Sequence, residues 1–223
     1  MNLKSNGFTL AEALITLGII GIVAAITLPT LISAYNKKIT ETRLAKFYST
    51  FNQAIKLSVA ENGDVDTWNE YWQALDSSNP SEVKNGFDTY LRPYMQISYT
   101  KKVQYKGADE ILYVLPDGSA FAYVWYIRDI TFFPKDAEKC IASNKPIGTC
   151  SFMFIFYPLE DVKKWKYHYN RGIEPYLFDW DGNKEHLKSG SQYSCKTNGN
   201  YCTALIKSNG WKIPKDYPLK LQY

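Results

Sequence analysis

Apolar and polar positions divide the chain into three regimes. No charged residue occurs from Ala13 to Asn36, a run dominated by Leu, Ile, Val and Ala. As a helix, those roughly 24 residues reach about 36 Å, enough to cross a hydrocarbon core of about 30 Å with some tilt. Charge then returns with Lys37, Lys38, Glu41, Arg43 and Lys46, while Tyr35, Ile39, Phe47, Phe51, Ile55 and Val59 keep helical spacing. Asn62-Gly63 reads as a C-cap. The pattern predicts one helix over 8–62, with a membrane span at about 12–34 and a bend at Pro29, where a backbone N–H is missing. Residues 63–223 form the third regime, a head domain of short segments.

Within the head, two helical stretches come first, Asp66–Leu75 and Ser81–Tyr94, the latter with Ser81 as its N-cap. Gln96–Tyr105 alternates loosely. Residues 111–115, the turn Pro116-Asp117-Gly118 and residues 120–126 read as a hairpin. Arg128–Cys150 reads as an insertion loop and Phe152–Tyr157 as a buried strand. Tyr176–Trp180, Asp181-Gly182 and Lys184–Leu187 suggest a further hairpin. A short helix over Tyr201–Lys207 ends at Asn209-Gly210. The expected class is α+β, a long helix packed on an antiparallel sheet.

Composition adds the compartment. Cys140, Cys150, Cys195 and Cys202 all lie in the C-terminal half of the chain. An even count fits two disulfides in an oxidising compartment, and of the three connectivities we favour the local one, Cys140–Cys150 with Cys195–Cys202. Zinc competes for these thiols, but its paired cysteines usually stand closer together. The net charge of +4 has no long basic run behind it and does not argue for nucleic-acid binding. Aromatics at 16% suit β-structure and contact surfaces.

The entrance to the apolar run is the most specific feature. Glu12 is a carboxylate at its mouth, where an unpaired charge in lipid is costly. A cleavable secretory signal would place no charge there and would carry a more basic start than Lys4 alone. Gly7-Phe8-Thr9-Leu10-Ala11-Glu12 resembles the processing site of type IV prepilins and type II secretion pseudopilins: a short polar leader, Gly, Phe, Ser/Thr, Leu, a variable residue, Glu, then about 20 apolar residues. The resemblance covers residues 1 to about 35. It implies a leader over 1–7, cleavage after Gly7 by a prepilin peptidase and N-methylation of Phe8 by the same enzyme.

The resemblance further implies that Glu12 pairs with the Phe8 amine of a neighbouring subunit, fixing axial register, and that Pro29 is the family's helix-bending proline. Gly18, Gly21 and Ala25 would let helices approach closely. Other pilin or pseudopilin subunits, an assembly platform protein with its ATPase, and the membrane are the implied partners. The basic residues after the span, Lys37, Lys38, Arg43 and Lys46, oppose the positive-inside rule. The resemblance nonetheless places the leader in the cytoplasm and the head outside the inner membrane. Leu115-Pro116-Asp117-Gly118 and the tail 202–214 resemble patterns in some pseudopilin-like proteins.

Three head features remain. Asp179, Asp181, Asn183 and Glu185 set oxygens at alternate positions around Gly182, a pattern that could hold Ca²⁺, although a polar turn explains it as well. Lys163–Arg171 is the densest basic–aromatic stretch, a mixture that can bind single-stranded nucleic acid but more often forms a surface segment. His168 and His186, the only histidines, are expected at the surface. No catalytic motif occurs, so the chain is not expected to be an enzyme. The function expected is a structural subunit of a pseudopilus or type IV pilus-like filament. The alternative is a minor tip subunit that binds DNA, glycan or secreted cargo.

Overall fold

The computed structural model describes residues 9–73, 79–124 and 126–223. The chain forms two compact units, Met1–Lys38 and Ile39–Tyr223. Helix α1 is continuous from Leu10 to Asn62, with Pro29 inside it.

In the first unit the apolar stretch of α1 is long and apolar enough to cross a membrane, and none of it is buried. Leu14, Leu17, Ile20, Ile26 and Leu31 are each more than half exposed. Its polar side chains are satisfied locally: the hydroxyls of Thr16, Thr27 and Thr30 donate to the carbonyls of Ala13, Val23 and Thr27 at 2.7–2.9 Å. Such back-bonding satisfies the hydroxyls within the helix itself, as an apolar surround would require.

In the second unit α1 turns amphipathic. Thr40, Glu41, Leu44, Phe47, Phe51, Ala54, Ile55 and Ser58 are buried, at steps of one, three and four. Phe47 is the centre of the contact. Its ring stacks on Phe132 at 4.3 Å and meets Phe121 and Phe154 at 5.4 and 5.3 Å. These three belong to successive strands of one sheet, so a single side chain joins the helix to the middle of it.

The sheet has six strands in strict chain order, each antiparallel to the last. They are β1 (Tyr99–Tyr105), β2 (Ala108–Val114), β3 (Ala120–Val124), β4 (Tyr126–Phe133), β5 (Phe152–Ile155) and β6 (Glu174–Pro175). Lys106 and Gly107, both at positive φ, connect β1 to β2, as a two-residue type I′ hairpin requires. Pro116-Asp117-Gly118 turns β2 into β3, with Gly118 at φ +79°.

Arg128–Cys150 is not an insertion loop, contrary to the sequence expectation. Its first residues belong to β4, which pairs with both β3 and β5. The strand hid because most of it is buried on both faces, so no alternation marks it, and Arg128-Asp129 reads as loop. The rest carries a short helix, α4 (Ala137–Ala142), and the Cys140–Cys150 disulfide. These cover the sheet face that holds Ala120, Ala122 and Phe133.

Three further expectations are revised. Asn79, not Ser81, caps α3 (Pro80–Tyr90), accepting the Ser81 N–H, with Pro80 in the first turn. Asp66–Leu75 is broken into a 3₁₀ turn at Val65–Thr67 and helix α2 (Asn69–Gln73); the last two residues of that expectation lie outside the described residues. The expected hairpin over 176–187 is absent. A 3₁₀ turn occupies Lys184–Leu187, and the sheet ends instead at Glu174-Pro175. A final helix, α5 (Cys202–Ser208), follows the Cys195–Cys202 disulfide.

Candidate functional site

At the N-terminus of α1, Thr9 and Glu12 satisfy each other. The Glu12 carboxylate accepts the Thr9 N–H at 2.9 Å and the Thr9 hydroxyl at 2.7 Å, and Thr9 Oγ1 accepts the Glu12 N–H at 3.2 Å. This is a reciprocal capping box, which meets two of the donors a helix start leaves open. The signal was readable, since Thr followed three residues later by Glu before an apolar run is that motif's signature. Gly7 and Phe8 lie outside the described residues. Pro29 sits inside the apolar helix and has no N–H to offer the carbonyl one turn before it.

The four cysteines form two pairs, Cys140–Cys150 and Cys195–Cys202. Both half-cystines of the second pair are fully buried beneath Leu187, Tyr201 and Leu205.

In the Asp179–Glu185 loop the side-chain oxygens of Asp181 and Asn183 have partners close by. Asp181 accepts the Asn183 N–H at 3.0 Å and lies 2.5 Å from His186 Nδ1. Asn183 accepts the Glu185 N–H at 3.0 Å and so caps the 3₁₀ turn. A calcium ion there would compete with His186 for Asp181 Oδ2. Among the described residues no group of three or more His, Cys, Asp or Glu converges as a metal site.

The basic–aromatic stretch 163–171 folds against this same loop. Asp179 N–H donates to the Lys164 carbonyl at 2.8 Å, and the Leu177 N–H donates to His168 Nε2 at 3.2 Å. His168 is therefore not a surface residue but completely buried. Burial, followed by the charges of Arg171 and Lys207, pushes its pKa down to about 3. The ring is neutral, and because Nε2 accepts, the proton resides on Nδ1. His186, by contrast, is partly exposed.

These contacts frame a cleft of about 330 Å³ between the 167–187 segment and α5. Tyr167, Trp180, Leu177 and Leu187 supply apolar surface; Arg171, Lys184 and Lys207 supply charge. Lys207 contacts the Glu174 carboxylate and donates to the Tyr48 hydroxyl at 2.9 Å. No reading of the sequence assembled this site, because its residues come from three separate segments.

Comparison with known proteins bears on both ends of the chain. Residues 2–28 match the prokaryotic N-terminal methylation motif. Residues 30–221 match a family of unknown function (DUF6613). No curated protein and no solved structure matches the chain. With the apolar helix and the helix-on-sheet head, these matches place it: the chain is a prepilin-type, type IV pilin-like protein that belongs to the family of unknown function DUF6613.

Proposed function

We propose that the chain is a structural subunit of a type II secretion pseudopilus or a type IV pilus-like filament. It is made with a leader over 1–7, cleaved after Gly7 and N-methylated at Phe8 by a prepilin peptidase. Residues 8–62 then form the filament helix, with the span at about 12–34 in the inner membrane, and residues 63–223 form an extracytoplasmic head. An assembly platform and its ATPase draw the subunit from the membrane among its neighbours. No catalytic role is part of this reading.

The observation that carries the reading is the coincidence of the methylation motif at 2–28 with an unburied apolar helix that begins at Leu10. In lipid, or against other helices, that surface is covered; left in water it would drive association. Glu12 caps its own helix through Thr9. In a filament the same carboxylate would also meet the Phe8 amine of the next subunit, since a desolvated carboxylate without a cation is costly. The two disulfides fit a head outside the cytoplasm.

Intact mass of the protein purified from its native host tests this. Loss of Met1–Gly7 with gain of one methyl group is the expected result. Retention of the leader, or cleavage near Ala25, would leave an ordinary anchored or secreted protein. A second reading, a tip subunit that binds a ligand, is favoured by one observation, the basic cleft beside α5.

A further inference from the structure

Arg171 and Lys184 both line the cleft, both are exposed, and neither forms an ion pair among the described residues. Glu174 is the sole carboxylate among the residues that line it, and Lys207 already contacts Glu174. Two positive charges are thus left facing a pocket with apolar walls. A second opening, about 540 Å³, shares Arg171 and Glu174 with the first. Hydroxyl and amide groups border it, among them Ser49 and Gln53, together with Lys56. Arg171 stands at the junction of the two.

The walls are built rather than incidental. Gly182 takes φ +87°, and a Cβ there would fall 2.4 Å from the Tyr167 hydroxyl, so the loop closes tightly over that ring. Tyr201 donates to the Phe178 carbonyl at 2.7 Å, and the Leu177 N–H is held by His168. Preorganised walls of this kind lower the ordering cost of binding. The volume sits at the small end of ligand pockets.

We propose that this cleft binds an acidic saccharide, with the ring carboxylate between Arg171 and Lys184 and the apolar ring face against Leu177 and Trp180. Neighbouring sugar units would extend past Arg171 into the hydroxyl- and amide-lined opening. Single-stranded nucleic acid fits less well. Stacking of bases needs free aromatic faces. Here Trp165 is enclosed by Tyr157 and Phe178 at 4.4 and 4.9 Å, so the cleft offers no row of free rings for successive bases. The inference stands apart from filament membership, whose failure would appear in the mass spectrum and not in a binding curve.

The test uses the full chain in detergent micelles, with trigalacturonic acid as probe, a neutral galactose trimer as control and a dT12 oligonucleotide as competitor, followed by calorimetry. The acidic trimer binds saturably and at least about tenfold more tightly than the neutral one, a difference of about 1.4 kcal/mol. Arg171→Ala combined with Lys184→Ala weakens it at least tenfold without moving the melting midpoint, since both side chains are exposed. Trp180→Phe weakens it less. Absence of saturable binding, equal binding by the double variant, or displacement by dT12 at lower concentration than the trimer itself would each overturn the assignment, the last in favour of nucleic acid.

Discussion

The Glu41 carboxylate accepts the backbone N–H of Ile213 at 3.0 Å. Its other oxygen takes the Lys212 ammonium at 3.1 Å. Glu41 is buried on α1, so these contacts fasten the C-terminal segment to the helix. Lys212 is more than half exposed and its ion pair contributes little. The amide bond dominates. Glu41→Ala leaves a buried N–H unmet and should cost about 1–3 kcal/mol, whereas Glu41→Gln keeps an acceptor and should cost less. Urea denaturation of the solubilised chain measures both; equal stability of Glu41→Ala and the parent would remove the fastening role.

Two buried groups set an opposing pH dependence. Burial raises Asp129 to about 7, with Arg128 pulling the other way, and burial lowers His168 to about 3. Asp129 binds a proton in the folded state that it lacks unfolded, so it adds stability as pH falls from about 7 to about 4. His168 stays neutral folded but protonates when unfolded, so its contribution is full above about 6.5 and is lost as pH falls toward 3. Between about 4 and 6.5 the two nearly cancel. Asp129→Asn should be more stable than the parent above pH 7, and should lose stability on acidification below 6.5 by up to about 1.4 kcal/mol per pH unit. A parallel pH profile for parent and variant would show that Asp129 is not the compensating group.

Gly7→Ala should block leader removal, read as retention of the full precursor mass; an unchanged mature mass would sink the processing claim. Glu12→Ala should insert in the membrane yet fail to enter filaments. Thr9→Ala separates capping from register, because it removes the hydroxyl partner while leaving the carboxylate. It should still assemble. If Thr9→Ala fails as completely as Glu12→Ala, the carboxylate acts in assembly through its cap alone.

The two disulfides should differ in their effect. In the chain-entropy account, loops of this length contribute about 2–3 kcal/mol each. Cys195 and Cys202 are wholly enclosed, and Gly148 packs so closely on the Cys202 sulfur that a Cβ there would lie 2.4 Å from it. Replacing this pair with alanine should therefore lower the melting temperature more than replacing Cys140 and Cys150, by calorimetry. The reverse order would show that the second pair is not the principal tie.

The sequence was legible where one physical demand governs a segment. The apolar run, the Gly7–Glu12 motif and the helical spacing of Phe47, Phe51 and Ile55 each point one way, and the helix-on-sheet class follows from them. Legibility failed where burial erased the alternating pattern, as along β4, whose second half lies under cover on both faces. It failed again at His168, fully buried within the polar, basic stretch 163–171, where its Nε2 accepts the Leu177 N–H. Asn79 was passed over for Ser81 because both are good caps and the choice depends on where Pro80 falls in the turn. The cleft was invisible for a plainer reason: Arg171, Lys184 and Lys207 have no periodic relation along the chain.

The sheet's order has a consequence for how the head is made. Each strand lies beside the one that precedes it in the chain, so pairing can advance in chain order and never waits for a distant strand. The contacts that must wait are those from the end of the chain back to α1: Ile213 to Glu41, 172 positions apart, and Tyr223 to Thr40, 183 apart. As the head folds, the helix face around Leu44 and Phe47 can meet the growing sheet while its flank at Glu41 is still uncovered. Completion of the last turn of chain is thus the event that converts a nascent sheet into a sealed head.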